Sequence, residues 1–73
     1  METQFLHTFI TIVDHGSMAA AARVLNITPA AVAQQIRTLE REIGATLIAR
    51  VGRTVSVTEE GSRILQRSRD LLR

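Results

Sequence analysis

The 73-residue chain contains no cysteine and no lysine, and its only aromatic side chains are two phenylalanines. Without cysteine there is neither a disulfide framework nor a thiolate metal site. No apolar run approaches membrane-spanning length, and the N-terminus does not read as a signal peptide, which sets a cytoplasmic expectation. No carboxylate pair, activated nucleophile or Gly-rich phosphate loop occurs with workable geometry, so catalysis is not expected. Glu40 and Glu42 are close in sequence, but at i, i+2 they point to different faces of a helix. His7 and His15 lack a third ligand of suitable spacing, so they read as surface or half-buried residues; no metal and no cofactor is expected.

What is present describes one globular domain with a thin core. Hydrophobic residues make up 45% and charged residues 22%. A chain of this size buries roughly 60% of the surface it exposes when unfolded. The net charge of +2 is small, but all nine cationic residues are arginine. Arginine suits bidentate contact to phosphate and guanine, so the placement of these residues says more than their sum.

The chain is organised around Ala19 to Arg41. Thr28 is an N-cap by type, and Pro29 follows it in the first helical position, where its missing N–H costs nothing. Val32, Ile36, Leu39 and Ile43 then recur on one apolar face of a helix expected over 29–42. The other face carries Ala30, Ala33, Gln34, Arg37, Thr38 and Arg41, which are small, polar or cationic. Before it, Gly16 ends a first helix and Ser17 caps a second, Met18 to Leu25, whose alanines let another helix approach closely. Ala22, Asn26 and Val32 stand at helix-turn-helix spacing, with Asn26 as the turn residue that tolerates a left-handed conformation. Such a turn presents its second helix for insertion into a DNA major groove.

The first helix, residues 3–15, offers a stripe of Phe5, Phe9, Ile12 and Val13, widened by Leu6 and Ile10, as filler over the alanine-rich helix. After a stop at Gly44, the segments 47–50 and 54–57 read as a hairpin around Val51-Gly52-Arg53, with Arg50 and Arg53 at its tip. Beside a helix-turn-helix such a hairpin is a wing, and residues 50–54, Thr54 included, are expected on the DNA backbone or in the minor groove. Thr58 caps a last helix, with Glu59 and Glu60 in its first turn. Its apolar side is Ile64, Leu65, Ser68, Leu71 and Leu72, and Arg63, Arg67, Arg69 and Arg73 face outward as a solvated stripe. Leucines just before the end suggest a helix cut short or one that pairs with a second copy, Leu65, Leu71 and Leu72 forming the seam.

Gly16-Ser17-Met18, Ala21-Ala22, Leu25, Val32, Gln35-Ile36, Leu39-Glu40, Gly44, Leu47, Arg50 and Thr58-Glu59-Glu60-Gly61 together resemble the DNA-binding domain of LysR-type bacterial transcriptional regulators. The resemblance covers almost the whole chain. It implies a mainly α fold: a winged helix-turn-helix with a three-helix core, a short β-hairpin wing and a C-terminal linker helix that pairs two subunits. On this reading residues 1–58 form the DNA-binding domain and 59–73 begin the dimerisation linker. The resemblance also implies a missing two-lobed effector-binding domain, through which alone a small-molecule inducer acts. It implies a double-stranded DNA operator, a homodimer that becomes a tetramer at full length, and a cytoplasmic, nucleoid-associated location in a bacterium. The chain is then expected to be a fragment.

Carried over by position, Ser17 matches a residue that reaches a backbone phosphate, and Thr28 matches the usual cap. Gln34 and Arg37 match positions facing base edges or phosphates, and Arg50 and Arg53 match the wing. Pro29 stands where the family commonly has Gln, and Ala33 where it commonly has Ser. Both departures make the DNA face leaner in hydrogen bonds and more reliant on contact with thymine methyls. Ile48-Ala49 also departs, in a way that concerns strand packing. The competing reading is a winged-helix module for protein contact or RNA binding. RNA readers generally stack bases on exposed aromatics, and the two here, Phe5 and Phe9, lie on the core stripe.

Overall fold

Three short helices of unlike composition pack because each supplies what its neighbour lacks. The computed structural model describes residues 3–52 and 54–72, the side chains of Leu71 and Leu72 excepted. Helix α1 spans Thr3–His15 and ends where Gly16 turns left-handed (φ +80°), its N–H donating to Ile12 O at 2.8 Å. Helix α2, Met18–Leu25, starts at Ser17, whose Oγ accepts from Ala20 N at 3.0 Å. Its buried residues, Ala21 and Ala22, bring little bulk, and the bulk comes from Leu6, Phe9 and Ile12 of α1.

The burial of α1 is rotated from the predicted stripe. Phe5, Ile10 and Val13 are only half-buried, whereas Thr8 is 2% exposed. A buried hydroxyl must be hydrogen-bonded. Thr8 Oγ1 donates to Gln35 Oε1 of α3 at 2.6 Å, with Gln4 O at 3.1 Å as a second neighbour.

Helix α2 stops at Asn26, a residue with positive φ (58°), and Ile27 N donates back to Ala22 O at 3.0 Å. An alanine there carries the left-handed cost without a side chain that relieves it locally, and glycine carries none. Asn26→Ala is therefore expected to destabilise the domain by about 1 kcal/mol, and Asn26→Gly to match or slightly exceed the native chain. Urea unfolding of the three proteins checks this, and an alanine variant as stable as the glycine variant contradicts it.

Helix α3 spans Pro29–Ile43, with Thr28 Oγ1 accepting from Ala31 N at 3.0 Å and Gly44 (φ 82°) closing the C-terminus. Val32, Ile36 and Leu39 are buried and Ile43 is half-buried, as the spacing requires. The first strand of the hairpin is shifted by one residue from the expected 47–50, and the second lies at the expected 54–57. Strands β1 (Ile48–Val51) and β2 (Thr54–Val57) pair antiparallel, with Ile48 opposite Val57 and Val51 opposite Thr54. Leu47 lies outside the ladder because its groups are used elsewhere. Its side chain is fully buried, its N–H donates to Glu40 Oε2 at 2.8 Å, and its carbonyl accepts from Thr58 N at 3.0 Å.

Helix α4, Glu59–Leu72, begins at Thr58, whose Oγ1 accepts from Gly61 N at 2.9 Å and donates to Thr46 O at 2.6 Å. Ile64 and Leu65 pack against the core, and Ser68 is buried. Leu65 was expected on a seam with a second copy, but it is half-buried against its own domain. The other seam residues, the side chains of Leu71 and Leu72, fall outside the described residues, as does Arg73. Arg63 pairs with Glu59 and Glu60, and Arg69 reaches Asp14 of α1. Both histidines are exposed. Among the described residues no helix is long and apolar enough to cross a membrane, and no group of three or more His, Cys, Asp or Glu side chains is arranged to hold a metal ion.

Candidate nucleic-acid interface

Burial of Val32, Ile36 and Leu39 fixes how α3 is rotated, and so decides which residues it shows to solvent. Thr28, Pro29, Ala30, Gln34, Arg37 and Arg41 are exposed, while Ala33 and Thr38 are half-buried at the edges of that face. About one turn of small apolar residues is thus followed by about two turns of donors. Arg37 Nη2 donates to Gln34 Oε1 at 3.0 Å, and Arg41 Nη2 approaches Thr38 Oγ1 at 3.5 Å. Gln34, Arg37, Glu40 and Arg41 line a shallow concavity completed by Gly44, Ala45 and Thr46.

A second groove joins residues far apart in sequence. Ser17, Met18 and Ala19, at the start of α2, line it together with Arg50, Gly52 and Val55 of the hairpin. Val55 N donates to Gly16 O at 3.3 Å, which ties β2 to the corner between α1 and α2. Arg50 and Thr54 are both exposed, and Thr54 Oγ1 donates to Val51 O at 3.0 Å. Gly52 takes φ +62° in the two-residue loop that links the strands. Arg53, the other predicted wing cation, lies outside the described residues.

Two of the α4 arginines are ion-paired, while Arg67 on the same helix and Arg23 on α2 form no ion pair among the described residues. Arg63 and Arg69, on α4, are neutralised by carboxylates. Among the described residues no ion pair forms at Arg37, Arg41 or Arg50, so their charge is available to an external anion. The predicted site residues therefore fall into two sets: Thr28 to Thr38 on α3, and Ser17 with Arg50 and Thr54 at the wing.

Four residues have roles that the sequence reading did not give them. Thr8 and Gln35 lock α1 to α3 and so help set the pitch of the exposed face. Glu40 holds the chain that leads into the wing, its Oε2 accepting from Leu47 N at 2.8 Å and Ile48 N at 3.4 Å. A signal for Glu40 was available, because an acid near a helix C-terminus opposes the macrodipole and so asks for another partner. Thr46 enters the α3 concavity only because of the path the loop takes.

Known proteins share the sequence pattern and the fold. Residues 3–62 match the family described as "Bacterial regulatory helix-turn-helix protein, lysR family". The chain is 40% identical over 67 residues to the probable HTH-type transcriptional regulator LtrA of Klebsiella pneumoniae, covering 92% of this chain and 22% of that protein. It is 41% identical over all 73 residues to the nitrogen assimilation regulatory protein nac of Klebsiella aerogenes, covering 24% of it. The chain thus spans about a quarter of the length of the curated relatives it matches. Among solved structures, the CbnR DBD in a complex with DNA superposes with a TM-score of 0.94 at 33% identity, covering 99% of this chain and 83% of that one. The BenM DBD bound to benA site 1 DNA gives a TM-score of 0.92 at 36% identity, covering 99% and 84%. The match to the family model, the identities over nearly the full length and the shared winged-helix architecture lead to one conclusion: this chain belongs to the lysR family of bacterial regulatory helix-turn-helix proteins.

Proposed function

We propose that this chain is the sequence-specific, double-stranded DNA-binding module of a transcriptional regulator, with α3 in the major groove and the wing on the backbone or in the minor groove. The observation that carries this is the outward face of α3. Its arginines have no carboxylate partner among the described residues, its leading residues are small and apolar, and its inward face is buried in the core. That the similar CbnR and BenM DBDs have been solved in complexes with DNA supports the DNA-binding reading.

Each site residue then has a chemical task. Thr28 keeps the helix N-terminus capped, while Pro29, Ala30 and Ala33 offer apolar contact to thymine methyls. Gln34 and Arg37 face base edges, and Thr38 approaches the sugar–phosphate margin. Ser17 uses its oxygen as an acceptor for the cap, which leaves its proton for a phosphate. Arg50, Arg53 and Thr54 anchor the wing. Two copies of the chain pair through the linker helix that begins at residue 59, because one module reads too few base pairs to be selective in a genome. In the whole regulator a tetramer forms, and a small-molecule inducer acts through parts beyond these 73 residues. Such a protein works on the nucleoid in the bacterial cytoplasm and catalyses no reaction. The RNA-binding alternative is disfavoured by the burial of Phe9 and the packing of Phe5 against the core.

Selection from random duplex pools at two salt concentrations tests the proposal. A motif of two half-sites related by partial symmetry is expected. The affinity should fall with salt at a log–log slope near −0.9 for each phosphate contacted. Absence of duplex binding at low salt overturns the reading.

A further inference from the structure

The hydrogen bond between Arg37 and Gln34 constrains what α3 can recognise. Arg37 Nη2 lies 3.0 Å from Gln34 Oε1. A guanidinium can only donate, so the oxygen end of the Gln34 amide must face it, and the NH2 end is the one left free. Glutamine reads adenine with both ends at once, accepting from N6 and donating to N7. With one lone pair of its oxygen already taken and a guanidinium beside it, Gln34 is a weaker acceptor for adenine N6–H2 than a free glutamine.

Together Gln34 and Arg37 present mainly donors to the groove. Guanine is the base whose major-groove edge offers two acceptors, O6 and N7; adenine sets a donor beside its single acceptor, and cytosine shows a donor. Among the neighbouring side chains, Thr38 Oγ1 already faces Arg41 Nη2 at 3.5 Å. Ala30 and Ala33 carry only methyl groups, and the Glu40 carboxylate is turned to the N–H groups of Leu47 and Ile48. We propose that the Gln34–Arg37 pair makes α3 a guanine reader at the base it faces, with Arg37 setting the polarity of Gln34 as well as donating itself. This rests on the reading of α3 as the major-groove helix.

The test repeats the duplex selection with the native chain, Arg37→Met and Gln34→Ala. Both side chains are exposed, so the variants are expected to keep the native helical circular dichroism. In the native chain one position of each half-site should favour guanine over adenine by about tenfold, the scale of one good base contact. Gln34→Ala should keep guanine there, read by Arg37. Arg37→Met should release the Gln34 oxygen and turn the same position toward adenine. A native preference for adenine or cytosine at the position that Arg37→Met alters overturns the proposal. So does an Arg37→Met variant that loses guanine without gaining adenine, since Gln34 is then not under the control of Arg37. In both cases the native chain still selects a motif, which separates these results from failure of the DNA-binding reading itself, where nothing is selected.

Discussion

Gly61→Ala is expected to cost the domain about 3 kcal/mol or more, the upper end of what overpacking does. Helix propensity alone predicts the opposite sign, because alanine in a helix interior is better than glycine by about 1 kcal/mol. Packing decides the outcome. A Cβ at Gly61 falls on the backbone carbonyl of Leu47 and only 2.8 Å from Val57 Cγ1. That carbonyl is fixed, since it accepts from Thr58 N at 3.0 Å while the Leu47 side chain fills the core. Helix α4 must therefore retreat from the hairpin, and Ile64 and Leu65 lose part of their cover. Domains carry roughly 0.05–0.15 kcal/mol of stability per residue, so such a loss removes from about a quarter to most of what 73 residues supply. Thermal and urea unfolding of the two proteins measure it. A variant that melts within about 2 °C of the native chain contradicts the account.

The second large effect is expected at Glu40, which joins the recognition helix to the wing. Its carboxylate accepts the N–H groups of Leu47 and Ile48, both buried residues at the entrance to β1. Glu40→Ala leaves these donors without their partner, and a buried unsatisfied donor costs about 1–3 kcal/mol. The Ile48 contact is long at 3.4 Å, so a total of about 2–3 kcal/mol is expected. Glu40→Gln keeps an acceptor oxygen and should lose no more than about half of that. Amide exchange at Leu47 should accelerate in the alanine variant before global unfolding does. Equal stability of the alanine and glutamine variants, with unchanged exchange at Leu47, contradicts this role. Because the same segment carries Arg50, loss of Glu40 should also weaken any contact made by the wing.

The two roles just described show where the sequence was legible and where it was not. Helix starts and stops were readable, because Ser17, Thr28 and Thr58 cap by side-chain chemistry, while Gly16, Asn26 and Gly44 end helices by conformation. All of these act within a few residues, so local pattern sufficed. The exposed face of α3 followed from the apolar spacing of Val32, Ile36 and Leu39 for the same reason. The register of β1 did not. Leu47 looks like a strand residue by type, but it is taken out of the ladder by Glu40 and Thr58, seven and eleven positions away. Thr8 escaped notice because its partner, Gln35, lies 27 residues on, and no periodicity shows a hydroxyl meeting an amide across two helices. Leu65 fits either its own core or a partner by spacing, and the packing of α4 puts part of it against its own domain. At the candidate site, single residues were predictable from the α3 face, whereas the groove shared by Ser17 and Arg50 arises from tertiary contact.

The central claim is that α3 and the wing form the surface that meets DNA. Its most direct test is an amide proton–nitrogen spectrum of the isotope-labelled chain titrated with a duplex from the selection. The account predicts that the largest shifts fall on Thr28 to Arg41, with a second set on Ser17 to Ala20 and on Arg50, Val51 and Thr54, and that α1 and the exposed side of α4 change little. Shifts centred on α4, from Ser62 to Arg69, with the amides of α3 unmoved, would contradict it.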